Sequence, residues 1–374
     1  MLKVHAQIEG GNVWAPPVED DEVVFMPHPH GGPETLWFNF VIENASAANA
    51  GKPLTLTLLN VNNMLGGWQP SNLRPVMAMD GGAFERLPAP EIETRPDGVV
   101  HARWCVQVPA KMLQVAVCYP YGQEELAQLA EALDWQVSVV GLSQAGRPML
   151  RFCNRAGVKG EVAPAIYCVA RQHSGETPGS WVLDGFLRRL HEMGPDAPMC
   201  WAVPLSNIDG VVSGDYGKDN FPYDLNRAWG LPAMRHETHC LKIDIQRWKQ
   251  RCRTGVIVDF HAPGACEAEG LYTFVADPEQ APERHAVNLP FADAVQRHLG
   301  DMGAKEFSRV ASYPSRWATP NLTAFGWDEH RLPALTFEVP YGLIGDQPLT
   351  IERYREAGRR MADGICEALR TLKA

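Results

Sequence analysis

The sequence predicts an antiparallel β-sandwich domain followed by an α/β domain, and three observations carry that reading. Over roughly the first 120 residues, apolar side chains recur at every second position between Gly-, Pro- and Asn-rich breaks. After Tyr119-Pro120-Tyr121-Gly122 the pattern changes, and helical and strand segments interchange, which favours a mostly parallel or mixed sheet. A length of 374 residues suits two or three domains.

The elements follow in order. Leu36, Phe38, Phe40 and Ile42 alternate with Trp37, Asn39, Val41 and Glu43, and Leu54, Leu56 and Leu58 with Thr55 and Thr57. Ala102, Trp104, Val106 and Val108 share one face, as do Leu113, Val115 and Val117. Gln123 to Trp135 is built from Glu, Ala, Leu and Gln, all good helix formers. Ala165–Ala170 is a short apolar run between turn signals and predicts a buried strand. Val256–Phe260 and Ala334–Phe337 read the same way. Pro178 suits the first turn of a helix that places Leu183, Phe186, Leu187 and Leu190 at helical spacing. A second helical stripe runs through Tyr354, Ala357, Met361, Ile365 and Leu369.

Composition narrows the function classes. Apolar residues make up 45 % and charged residues 21 %, which excludes a dominantly disordered chain. A formal charge of −10 argues against nucleic acid or an anionic membrane as partner. No run approaches the ~18 apolar residues of a membrane span, and Met1–Gln7 leads into polar sequence without a secretory core. The nine cysteines are scattered and never form Cys-x-x-Cys, so they read as reduced thiols in a cytoplasmic protein.

Four segments can carry chemistry. His173-Ser174-Gly175-Glu176 follows a predicted strand and leads into a predicted helix, so that an imidazole and a carboxylate can meet at one metal ion. His261 ends another core strand before Pro263-Gly264, at the carboxyl edge where open α/β sheets bind ligands. With His173 and Glu176 it completes the His₂Glu set of a catalytic zinc site, which leaves a fourth position for water. Asp259 either orients such a ligand or is a buried strand acid with local partners. In Asp224-Leu225-Asn226-Arg227 the guanidinium fork can hold a carboxylate by two charge-assisted bonds, with Asn226 as a further donor. Glu338, directly after a core strand and before Pro340 and Gly342, is either a loop acid or a general base. Taken singly, each of these is as common in ordinary loops and caps.

Their order is informative. His-x-x-Glu, then Asn207-Ile208-Asp209-Gly210-Val211, Asp224-Leu225-Asn226-Arg227, a strand-end histidine and Thr336-Phe337-Glu338 together resemble the carboxypeptidase A superfamily of zinc peptidases, from about Gln123 onward. The β-rich first third, with Trp37-Phe38-Asn39-Phe40 and Tyr119-Pro120-Tyr121, is similar to the cytosolic carboxypeptidase subgroup in its two-domain bacterial form. The resemblance implies a β-sandwich over residues 1–122 and an α/β/α peptidase domain with a mixed eight-stranded sheet over 123–374. It implies one Zn²⁺ held by His173, Glu176 and His261, with Glu338 as the base that later protonates the leaving amine. Asn226 and Arg227 would grip the terminal carboxylate of a peptide or protein tail.

Two departures from the family pattern stand out. Gly217 occupies the place of an arginine that stabilises the oxyanion, which leaves Lys218, another arginine or the zinc itself for that work. Sixteen residues before Glu338, where glutamate-removing relatives carry an arginine, stands Leu322, followed by Thr323; Arg316 is the substitute candidate for reading an acidic side chain. Tyr313 and Tyr341 are candidates for a mobile phenol. His236-Glu237-Thr238-His239 lacks the His-Glu-x-x-His spacing and is expected to be an exposed segment ahead of a helix. His28-Pro29-His30 is expected to be an ordinary loop. The alternatives are a deacylase of small N-acyl amino acids and a catalytically silent peptide-binding protein.

Overall fold

The structure, a computed structural model, describes residues 2–19, 21–30, 32–160, 163–220, 223–312 and 317–371. In its first third run β1 (Leu2–His5), β2 (Glu22–Phe25), β3 (Asn39–Asn44), β4 (Pro53–Leu58), β5 (Val76–Met79), β6 (Glu85–Arg86), β7 (Glu91–Thr94), β8 (Val100–Gln107) and β9 (Met112–Ala116). They form two sheets, ordered β1-β3-β9-β5-β6 and β2-β4-β8-β7. Phe25 on the second sheet meets Phe40 on the first, and Phe38 just ahead of it, with ring centroids 4.8 and 5.2 Å apart, so the inner faces share one core. Pairing is antiparallel, the arrangement expected of the sandwich, except that β2 runs parallel to β4. Between those two strands the chain crosses to the other sheet as β3, and such a crossover brings it back in its original direction.

Beyond Tyr121 come α1 (Gln123–Leu133), β10 (Gln136–Leu142), β11 (Pro148–Cys153), β12 (Ala163–Ala170), α2 (Thr177–Met193) and β13 (Met199–Val203). The chain continues through α3 (Ile208–Ser213), α4 (His236–Lys249), β14 (Cys252–His261), β15 (Leu271–Val275), α5 (Pro282–Leu299), β16 (Gly303–Val310), α6 (Leu322–His330), β17 (Ala334–Glu338) and, at its end, α7 (Ile351–Thr371). The sheet order is β10-β11-β13-β12-β14-β17-β15-β16, eight strands of mixed direction. Its centre, β13-β12-β14-β17, is parallel throughout. Side chains of opposite parity on β14 meet different helices: Phe260 packs on Phe186 of α2, and Ile257 touches Gly326 of α6. Helices therefore cover both faces, the α/β/α arrangement.

Local chemistry explains where the helices begin and pack. Gly122 N donates to Glu125 Oε2 over 2.7 Å, so a carboxylate in the first turn of α1 satisfies a backbone group that the helix leaves open. Tyr354, Ala357, Met361, Ile365 and Leu369 of α7 are all buried, each large side chain contributing ~1.5–3 kcal/mol of apolar transfer. Where α7 crosses α2, Gly185 faces the Arg355 backbone and Gly358 faces Val182, and neither position has room for a Cβ. The segment around His236 differs from expectation. It is the first turn of α4 rather than a stretch ahead of it, because Glu237 is drawn inside to pair with Arg235 at 3.2 Å.

Candidate metal centre

Three adjacent parallel strands end at the same edge of the large sheet. Ala170 of β12 is paired with Phe260 of β14, and His261 with Glu338 of β17. The turn after β12 carries His173 and delivers Glu176 to the start of α2, where Gly179 lets the helix approach the Phe260 carbonyl. Residues distant in sequence thus converge at the carboxyl edge.

His173, Glu176 and His261 are buried, and their ligand atoms lie within 4.8 Å of one another. His173 Nδ1 is 2.8 Å from Glu176 Oε1, His261 Nδ1 is 2.8 Å from Glu176 Oε2, and the two Nδ1 atoms are 3.2 Å apart. Two ring nitrogens that face each other and the same carboxylate compete for one set of protons; a single cation satisfies all three donors at once. The donor set therefore fits a divalent metal.

Charge at the site is strongly coupled. Burial disfavours imidazolium at both histidines, but Glu176 and Asp224 outweigh it at His173, and Asp259 and Glu176 at His261, so both pKa values are raised. Burial alone would raise the Glu176 pKa; the two histidines lower it instead. A metal arriving here displaces protons, as ligation requires neutral imidazoles.

Each imidazole is held from behind. His261 Nε2 lies 3.0 Å from Asp259 Oδ2, and Gln172 Nε2 donates to both Asp259 oxygens at 2.9 and 2.8 Å. Trp229 Nε1 in turn donates to Gln172 Oε1 over 2.8 Å. Of the two readings of Asp259, the geometry matches the orienting one. Asp224 stands in the same relation to His173, with Oδ1 3.3 Å from Nε2. Sequence reasoning gave Asp224 and Gln172 no role. The signal for Asp224 was present in its motif; nothing in the sequence ties Gln172 to Asp259.

A cleft of about 700 Å³ opens at this edge, lined by Glu338, Lys218, Arg227, Tyr272 and Arg309, with Leu65 and Trp68 from the first domain. Glu338 Oε2 is buried without a hydrogen-bond partner among the described residues. Burial and the neighbouring Glu176 charge push the Glu338 pKa up to about 7. Lys218 and Arg227 line the cleft. Asn226 does not: its Nδ2 lies 3.2 Å from His261 Nε2 and its Oδ1 accepts from Leu322 N at 3.2 Å. Its side chain thus lies between His261 and the start of α6, off the cleft lining. Leu322 itself is fully buried. Tyr341 is buried, with its hydroxyl donating to Gly175 O over 3.3 Å, packed against the ligand turn. Arg316 and Tyr313 lie outside the described residues. His30 Nδ1 sits 2.9 Å from Asp215 Oδ1, so that loop braces the Gly214–Lys218 segment. Arg309, stacked 3.7 Å over the Tyr272 ring and paired with Glu269 at 2.5 Å, went unnoticed in sequence because nothing marks a lone strand arginine.

Fold and site together define a two-domain protein of metallo-carboxypeptidase architecture. In sequence the chain resembles the zinc carboxypeptidases of the cytosolic carboxypeptidase type. The mouse and human proteins called cytosolic carboxypeptidase 6 are each 23 % identical to it, over 362 and 360 residues. Both alignments cover 87 % of this chain, which spans 65 % of the mouse protein's length and 70 % of the human one's. No family model matches the chain. Among solved structures, the metallo-carboxypeptidase from Burkholderia cenocepacia superposes with a TM-score of 0.79 at 20 % identity, covering 99 % of this chain and 100 % of that one. A metallo-carboxypeptidase from Pseudomonas aeruginosa in complex with (2-guanidinoethylmercapto)succinic acid gives 0.76 at 20 % identity, covering 98 % and 100 %. Among the described residues no helix is long and apolar enough to cross a membrane.

Proposed function

We propose that this protein is a zinc-dependent metallocarboxypeptidase that hydrolyses the last peptide bond of peptides or flexible protein tails. One observation carries the reading: the His173, Glu176 and His261 donor atoms meet within 4.8 Å beside a cleft that Glu338 lines. Zinc held by these three residues would supply a water of lowered pKa and polarise the scissile carbonyl.

The other roles belong to the chain. Glu338, buried at the cleft with Oε2 free of hydrogen-bond partners among the described residues, is placed to take a proton from the attacking water and return it to the leaving amine. Arg227 offers its fork to the terminal carboxylate, and Lys218 supplies a point charge for the oxyanion in place of the missing arginine. Asp259 and Asp224 fix the imidazole orientations. Arg309 is the remaining described cation of the cleft and would read an acidic, glutamate-like side chain by exchanging its exposed partner Glu269 for the substrate carboxylate. The names of the relatives support a cytoplasmic site of action and a peptide partner.

The test compares the native protein with Glu338→Gln on peptides with free and with amidated C-termini. Amino-acid release from free peptides only, lost in the variant while zinc stays bound, is the expected outcome. Release from N-acetyl amino acids instead identifies a deacylase, and binding without release identifies a silent binder; either overturns the proposal.

A further inference from the structure

An exopeptidase cleft must hold the terminal residue at its closed end and let the rest of the substrate leave over its rim. Two cleft-lining side chains here are apolar and exposed, Trp68 at 64 % and Val310 at 43 %. Trp68 is the larger, and among the described residues its indole has no hydrogen-bond or ring partner.

Its backbone is firmly placed. Leu65 O accepts from Ala265 N over 2.9 Å, Leu65 N donates to Thr35 O over 2.9 Å, and Gly67 N donates to Met64 O over 3.0 Å. Gly66 and Gly264 meet backbone to backbone, so closely that a Cβ on either would collide with the other's Cα. This contact lies three residues after His261. The first domain is therefore stapled to the turn that follows a ligand strand, and Trp68, two residues beyond Gly66, lines the cleft beside the staple.

We propose that Trp68 is a substrate-binding residue, the platform on which the peptide upstream of the scissile bond lies, preferring an apolar side chain there. The inference rests on the carboxypeptidase reading and assigns the first domain a part in selecting substrates of sufficient length. An indole face laid against an extended chain excludes water from both.

The test measures equilibrium binding by calorimetry to the zinc-loaded Glu338→Gln protein, so that turnover is not required. A hexapeptide with a leucine upstream of the scissile bond is compared with an N-blocked dipeptide. Adding Trp68→Ala should weaken hexapeptide binding about tenfold and leave the dipeptide unchanged, and Trp68→Phe should restore most of the loss. Equal weakening of both peptides, or no change for the hexapeptide, overturns the proposal, as does failure of the hexapeptide to bind at all. Absence of amino-acid release by the native protein, with these binding differences intact, would overturn the hydrolytic reading alone.

Discussion

Arg171 ties the two domains together at the ligand turn: its Nη1 donates to the Tyr121 carbonyl over 2.7 Å and its Nε to the Ser174 carbonyl over 2.7 Å. The guanidinium is buried, and burial lowers its pKa to about 10, with Tyr341 and Glu176 acting in the opposite direction. Arg171→Met leaves those carbonyls without donors and should cost about 2–4 kcal/mol of stability. It should also loosen zinc about tenfold, since the Ser174 carbonyl sits between two ligands. Thermal melting and competition with a chelator measure the two effects; unchanged zinc affinity would confine Arg171 to the domain junction.

Asp259 and Asp224 hold the far sides of His261 and His173 at 3.0 and 3.3 Å. Asp259→Asn keeps the volume and removes the charge. Zinc affinity should fall by about 10–100-fold with the melting temperature of the metal-free protein little changed. A zinc titration against a competing dye gives the number.

Gly217 is not an arginine waiting to be restored. Its φ is +86°, and a Cβ there would stand 2.5 Å from Ser174 N. Gly217→Arg should therefore abolish activity, and Gly217→Ala should destabilise by about 1–3 kcal/mol. Equal or higher turnover in the arginine variant would show that the Ser174 turn yields.

Glu338 gives a pH-dependent signature in the metal-free protein. Its pKa is raised in the folded state, so folding favours its protonated form; the native chain is relatively more stable at acid pH and loses that advantage as pH climbs from about 4.5 to about 7. Glu338→Gln should consequently raise the melting point at pH 8, by an amount worth about 1–2 kcal/mol after allowance for the open cleft, and leave it nearly unchanged at pH 4. Melting curves at the two pH values decide it.

Arg309 predicts the side-chain preference. On a panel of peptides ending in Glu, Lys, Leu or Phe, Glu should be released most readily, and Arg309→Gln should raise its KM about tenfold without a matching change for Leu. A clear basic or aromatic preference in the native protein would discard the acidic pocket.

Much of this architecture was legible in the sequence because its signals are periodic or local. The strands ending at Ala170, His261 and Glu338 are apolar runs stopped by turn residues, and α2 and α7 announce themselves by spacing. The parallel β2–β4 pair was not legible, since alternation reports a half-buried strand and not its direction. Nor does β3 behave as a two-faced strand. Trp37 (just ahead of it), Asn39 and Val41 are as buried as Phe38 and Phe40; Glu9, Gly10 and Gln114 hydrogen-bond Asn39, and Trp37 lies between Gly10 and the Gly175 turn of the second domain. At the site, residue types revealed the ligands, but the inward turn of Asn226 depends on its neighbours Leu322 and His261, which only folding brings together.

The backbone bonds that cross between the halves, Ala265 to Leu65 and Gly10 to Val212, have a consequence for how such a gene can be cut and shuffled. With the second half expressed alone, the Ala265 amide would lose its acceptor and the Val212 carbonyl its donor, and the turn after His261 would face solvent on its unguarded side. The two halves look like separable modules on paper, yet these shared backbone bonds make the pair the natural unit for engineering.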